Sequence, residues 1–121
     1  MPKPKEWSVL LAEKKLQLEQ ADDKVYKMRQ QKETLETFIS QFKSLFERES
    51  DLMKEEQEIC ANSDVSSFLN SQFDEAEDDY YKRYRTLLAH QESFESSFNE
   101  QSKKANQIEK ELTELEKEAR L

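Results

Sequence analysis

The sequence contains no glycine, and its two prolines, Pro2 and Pro4, both stand in the first four residues. A chain of 121 residues with average composition would hold about eight glycines. Glycine supplies the positive φ that hairpin turns, phosphate loops and many helix C-caps require. Its absence removes dinucleotide fingerprints, Walker loops, EF-hand loops and glycine-flanked nucleophile elbows. It also disfavours sandwiches and barrels, which need many tight turns. What remains after Pro4 is a run of 117 residues without a strong helix breaker. Such a chain is expected to form long helices.

The apolar residues recur at the spacing those helices need. Every seventh residue from Leu11 reads Leu11, Leu18, Val25, Lys32, Ile39, Phe46, Met53 and Cys60, and the alternate positions include Ala21, Met28, Leu35 and Phe42 beside Lys14, Glu49 and Glu56. In the second half, Phe73, Tyr80, Leu87, Phe94, Gln101, Ile108 and Leu115 form one series, and Glu77, Tyr84, Gln91, Phe98, Ala105, Leu112 and Ala119 the other. These are a and d seams of a coiled coil. Between them lies Cys60-Ala61-Asn62-Ser63-Asp64-Val65-Ser66-Ser67, the one cluster of turn and cap residues. Asn62 is expected to take the left-handed conformation at the C-cap, with Ser63, Asp64, Ser66 or Ser67 capping the next helix. The spacing therefore predicts an all-α hairpin in one domain, residues 1–121. Its two long antiparallel helices cover about 6–61 and 66–120, with a turn near 61–66. An uninterrupted helix in a parallel dimer is the competing arrangement.

Antiparallel pairing makes a definite prediction about register. Met53 with Phe73, Phe46 with Tyr80, Ile39 with Leu87, Leu18 with Ile108 and Leu11 with Leu115 all have residue numbers adding to 126. That centres the reversal on Ser63, inside the turn cluster. The seam has faults: Lys32 faces Phe94, Val25 faces Gln101, and Glu49 opposes Glu77 unless the seam rotates there. A second apolar row, Phe38, Leu45, Leu52 and Ile59, runs beside the first helix's seam, with Tyr81 and Leu88 as a shorter counterpart on the second. A two-helix seam leaves such rows uncovered, and wide apolar stripes seek cover. These six residues are the expected partner interface. The occupant is either a helical partner protein or a second copy of this chain in a homodimeric four-helix bundle.

Chemistry is sparse by comparison. The net charge is −8 and the pI about 4.8, which offers nucleic acid and anionic membranes no overall attraction. No apolar run approaches a membrane span, and the first residues have no apolar signal core. The expectation is a cytoplasmic protein that, if exported, leaves without a cleaved signal peptide. One histidine, His90, cannot supply a helical di-metal site. The acidic run Asp74-Glu75-Ala76-Glu77-Asp78-Asp79 spreads around more than one helical turn, unlike a loop that wraps an ion. Cys60 has no histidine beside it and reads as a small core residue. No enzyme activity, cofactor or metal is expected.

The segment Ser66-Ser67-Phe68-Leu69-Asn70-Ser71-Gln72-Phe73 follows the Asn62-Ser63-Asp64 link and opens the second helix. It resembles the turn region of WXG-type helical hairpins, with Phe68 at the tryptophan position, Asn70 at the glycine position and Phe73 as the following aromatic. The whole layout is similar to the small proteins associated with LXG toxins in type VII secretion. The resemblance implies an adaptor or chaperone that binds the helical N-terminal domain of such a toxin and promotes its export, with a second small helical protein as a further component. The alternative is a structural coiled-coil hairpin of an export apparatus, or a homodimeric scaffold.

Overall fold

The computed structural model describes residues 4–120. They form two helices, α1 (Pro4–Ile59) and α2 (Ser66–Arg120), packed against each other as a hairpin. The uninterrupted helix is thereby excluded, because the chain reverses over residues 60–65. Both helices contribute to two compact units: a terminal unit, Met1–Lys32 with Ser93–Leu121, and a turn unit, Glu33–Glu92.

The reversal is made without a left-handed residue. Among the described residues no φ is positive, so the expected left-handed Asn62 does not occur. Instead α1 tightens as it ends. The Ala61 N–H reaches back to the Glu58 carbonyl, the Ser63 N–H donates to the Cys60 carbonyl at 3.0 Å, and the Ser66 N–H donates to the Ser63 carbonyl at 3.2 Å. The Ser63 hydroxyl also donates to the Cys60 carbonyl, at 2.8 Å. Carbonyls left over at a helix end are thus satisfied by successive tight turns in right-handed backbone. This is how the chain turns without glycine. The Val65 carbonyl accepts the first intrahelical bond of α2, from the Leu69 N–H. The N-cap position therefore falls on Val65 rather than on any of the four expected cap residues.

In the turn unit the seam is an aromatic stack. Ile39 and Tyr80 are buried, and Phe42, Phe46, Met53, Phe73, Tyr84 and Leu87 are half-buried. Phe46 lies flat on Tyr80 with ring centroids 3.6 Å apart, the register in which their residue numbers add to 126. Phe42 and Tyr84 stack on Tyr80 at 5.3 and 5.6 Å.

The seam also rotates. Glu49 and Glu56 are exposed, while Ser50 and Gln57 turn inward. Inward positions on α1 thus step 39, 42, 46, 50, and those on α2 step 76, 80, 84, 87. Each run contains two consecutive steps of four, at the level of the Phe46–Tyr80 stack. Such an insertion locally unwinds a heptad coil. It moves Glu49 away from Glu77 and leaves Ser50 level with Ala76. Nearer the link, the Gln57 side-chain amide donates to the Asn70 side-chain carbonyl at 2.8 Å.

The terminal unit keeps the unbroken heptad pattern, and its polar seam positions acquire partners. Ala105 is buried, and Leu11, Leu18, Met28, Ile108, Leu112 and Leu115 are half-buried. The Lys14 ammonium donates to the Glu111 carboxylate in a tight ion pair across the helices. That contact, reinforced by the Gln107 amide, holds the Glu111 carboxyl below its usual range. The Lys32 ammonium sits 5.4 Å from the centroid of the Phe98 ring, a cation–π contact. The Lys32 fault and the polar seam position Lys14 are therefore occupied by electrostatic contacts instead of packing.

Candidate docking face

Phe38, Leu45, Leu52 and Ile59 each precede a seam residue of α1 by one position, and each stays on the surface of the turn unit. They are 52, 56, 60 and 84% exposed, so the uncovered fraction rises toward the link. One residue before the seam is a rotation of about 100° about the helix axis. On an antiparallel helix, the same side of the pair is again reached one residue before the seam. On α2 those positions are Phe68, Gln72, Glu75, Asp79, Arg83, Thr86 and His90. The cavities agree with this geometry. A cleft of about 160 Å³ is lined by Leu45, Phe46, Glu49, Met53, Ala76 and Arg83 among others. A wider, open groove of about 510 Å³ is lined by Phe38, Phe42, Lys82, Arg83, Thr86, Leu87 and His90. Phe42 and Arg83 border both, so the two form one trough along this side.

Tyr81 and Leu88 fall elsewhere. Each follows its seam residue by one, which on α2 is the opposite side of the hairpin. They are exposed, and Tyr81 rests edge-on against Tyr80 at 5.3 Å. The six residues expected as one interface are thus divided between two faces, four on one and two on the other. The four-residue face gains a member that the resemblance to WXG-type hairpins assigns to the turn motif. Phe68, 62% exposed, precedes Leu69 by one and continues the row toward the link beside exposed Val65. Of the remaining turn-motif residues, Asn62, Ser63 and Asp64 are exposed in the link, Asn70 bonds to Gln57, and Phe73 is half-buried in the seam.

In the terminal unit the positions one before the seam of α1 are Leu10, Glu13, Gln17, Gln20, Lys24, Lys27 and Gln31. Only one of the seven is apolar. The apolar face therefore belongs to the turn unit.

Its charge is graded. Glu49, Glu56, Glu75 and Asp79 run from the link end to the middle of the face, whereas Lys82 and Arg83 flank it farther from the link. Arg83 also pairs with Asp79 at 3.2 Å, both side chains being well exposed, an arrangement of small energetic worth. Beneath the face, burial and then the neighbouring Tyr84, Glu47 and Tyr81 push the Tyr80 phenol above its ordinary value.

Among the described residues no three His, Cys, Asp or Glu side chains converge as a metal site, and no helix is long and apolar enough to cross a membrane. The site is an apolar trough with graded charge, suited to burying a helix. No protein-family model matches the sequence, and comparisons with curated proteins and with solved structures find no significant match.

Proposed function

We propose that this protein is a non-catalytic helical adaptor that receives a helical partner on the apolar trough of its turn unit. The observation that carries this reading is the confinement of Phe38, Leu45, Leu52, Ile59 and Phe68 to one side of that unit, all more than half exposed. Burying four or five such side chains yields roughly 1.5–3 kcal/mol each, less the cost of ordering the interface. A helix with apolar residues at three-and-four spacing is the shape that fills a trough between two helices. The likeness to LXG-associated hairpins supplies the partner class and setting: the helical N-terminal domain of a secreted toxin, carried toward type VII export. The acidic outer surface would keep the pair in solution.

Co-expression of the chain with the helical N-terminal domain of an LXG-type toxin from the same genome tests the proposal. The two are expected to co-purify. Leu45→Asp with Leu52→Asp abolishes co-purification while far-ultraviolet circular dichroism stays helical, because both side chains lie outside the seam. Leu10→Asp, in the terminal unit, leaves it intact. Undiminished co-purification of the Leu45→Asp, Leu52→Asp protein overturns the assignment of the trough.

A further inference from the structure

We infer that the helix received by the trough is a basic one, with lysine or arginine flanking its apolar row and meeting Glu49, Glu56, Glu75 and Asp79. This rests on the trough being the docking surface and adds the charge of what docks there. Charge complementarity selects the occupant. Glu49 and Glu56 alternate with Leu45, Leu52 and Ile59 along α1, and Glu75 and Asp79 flank the same trough from α2, all four acids exposed. Among the described residues Glu49, Glu56 and Glu75 enter no ion pair, while Asp79 holds Arg83 in an exposed pair at 3.2 Å. Glu49 and Asp79 also border one cleft from different helices, and Leu45, Met53 and Ala76 line that cleft between them. A long cationic side chain fits such a place, its methylenes on the apolar lining and its charge toward the carboxylates. Lys82 and Arg83 border the groove farther from the link, so the basic residues of the occupant belong over the stretch from Leu45 to Ile59.

A second copy of the chain fails the same criterion. With a two-fold axis crossing the helices between Leu45 and Leu52, Glu49 falls on the other copy's Glu49 and Glu75 near its Asp79. With the axis running along the helices, Glu49 falls on the other copy's Glu75. Both arrangements crowd like charges into an apolar contact, which is costly. An acidic helix is rejected for the same reason.

The full chain can be titrated with two fluorescent helical peptides, each about four heptads long with leucine at a and d. One carries lysine at e and g, the other glutamate. The lysine-flanked peptide should bind roughly tenfold more tightly or better, with the gap narrowing in high salt. Glu49→Lys with Glu75→Lys should weaken its binding about tenfold. Glu109→Lys with Glu114→Lys, at exposed positions of the terminal unit, makes the same change in net charge and should leave binding intact. Leu45→Asp with Leu52→Asp should abolish it even though the chain becomes more acidic, which separates docking from loose attraction. Circular dichroism checks that each variant stays helical.

Three results overturn the inference: equal binding of the two peptides, no binding of the lysine-flanked one, or equal loss in both lysine variants. A dimer of the chain alone that Leu45→Asp with Leu52→Asp breaks apart overturns it too. Toxin-domain binding that depends on Leu45 and Leu52 yet ignores Glu49→Lys with Glu75→Lys sinks the basic occupant alone. A chain that takes the lysine-flanked peptide but not the toxin domain sinks the partner named above and leaves the inference standing. If Leu45→Asp with Leu52→Asp spares peptide and toxin-domain binding alike, the docking face falls as well.

Discussion

Replacing Tyr80 with alanine probes whether the aromatic stack is what holds the turn unit closed. Tyr80 is 9% exposed and touches the rings of Phe42, Phe46, Tyr81 and Tyr84. A large aromatic side chain buries roughly 200 Å², and at ~25 cal/mol per Å² its loss costs about 4–5 kcal/mol. A compact denatured state trims this by some 10–40%, to about 3–4 kcal/mol. At roughly 0.05–0.15 kcal/mol per residue, a unit spanning Glu33–Glu92 has about 3–9 kcal/mol of stability in total. The substitution therefore removes a large share of it. Amide hydrogen exchange read by mass spectrometry should show protection collapsing across residues 33–92 before the terminal unit responds, as expected for locally cooperative opening. Tyr80→Phe keeps the ring and should stay within about 1 kcal/mol of the parent, in the range of one lost hydrogen bond. A loss below about 1 kcal/mol for Tyr80→Ala, where buried aromatic truncation costs roughly 3–5, would refute the stack as the core. Equal loss of protection in both units would refute the localisation.

Three further outcomes follow from the link and the ion pair. Because no positive φ is used in the reversal, Asn62→Gly should lower stability by about 0.4–1 kcal/mol through the freer unfolded chain; stabilisation in urea denaturation would show that a left-handed residue is needed after all. The last turn of α1 has no basic residue and contains Glu56 and Glu58, so Glu58→Lys should stabilise by about 0.3–1 kcal/mol at low ionic strength, an effect that high salt should erase and whose absence at low salt would count against the dipole argument. The Glu111 carboxyl, held low by Lys14, stabilises the fold fully above the usual glutamate value of 4.5, and that contribution is lost as pH falls through the folded-state pKa. Melting should accordingly separate the parent from Glu111→Gln at neutral pH and bring them together in acid; a gap that persists in acid would contradict the pairing.

Much of the fold was legible because one period governs it. Heptad spacing identified both helices, the constant pairing sum identified the register, and the polar cluster after Cys60 identified the reversal. What was not legible depended on local geometry. Glu49 and Glu56 match the heptad count, yet they lie outside the seam because both helices insert an extra step of four at Phe46 and Tyr80. Asn62 is the residue type that substitutes for glycine, but tight turns and the Ser63 hydroxyl satisfy the carbonyls without it. The six flanking apolar residues were correctly expected outside the seam. Spacing alone did not divide them by face, since that depends on whether each comes before or after its seam neighbour on helices of opposite direction. The same test, applied to Phe68, would have added it to the row.

Covalent footprinting with a carbene reagent on the chain, free and bound to the LXG toxin domain, tests the docking face most directly. Phe38, Leu45, Leu52, Ile59 and Phe68 should label strongly in a dilute, monomeric sample and become protected in the complex, while Tyr81 and Leu88 label equally in both. Protection centred on Tyr81 and Leu88, with the α1 row still labelled, would contradict it.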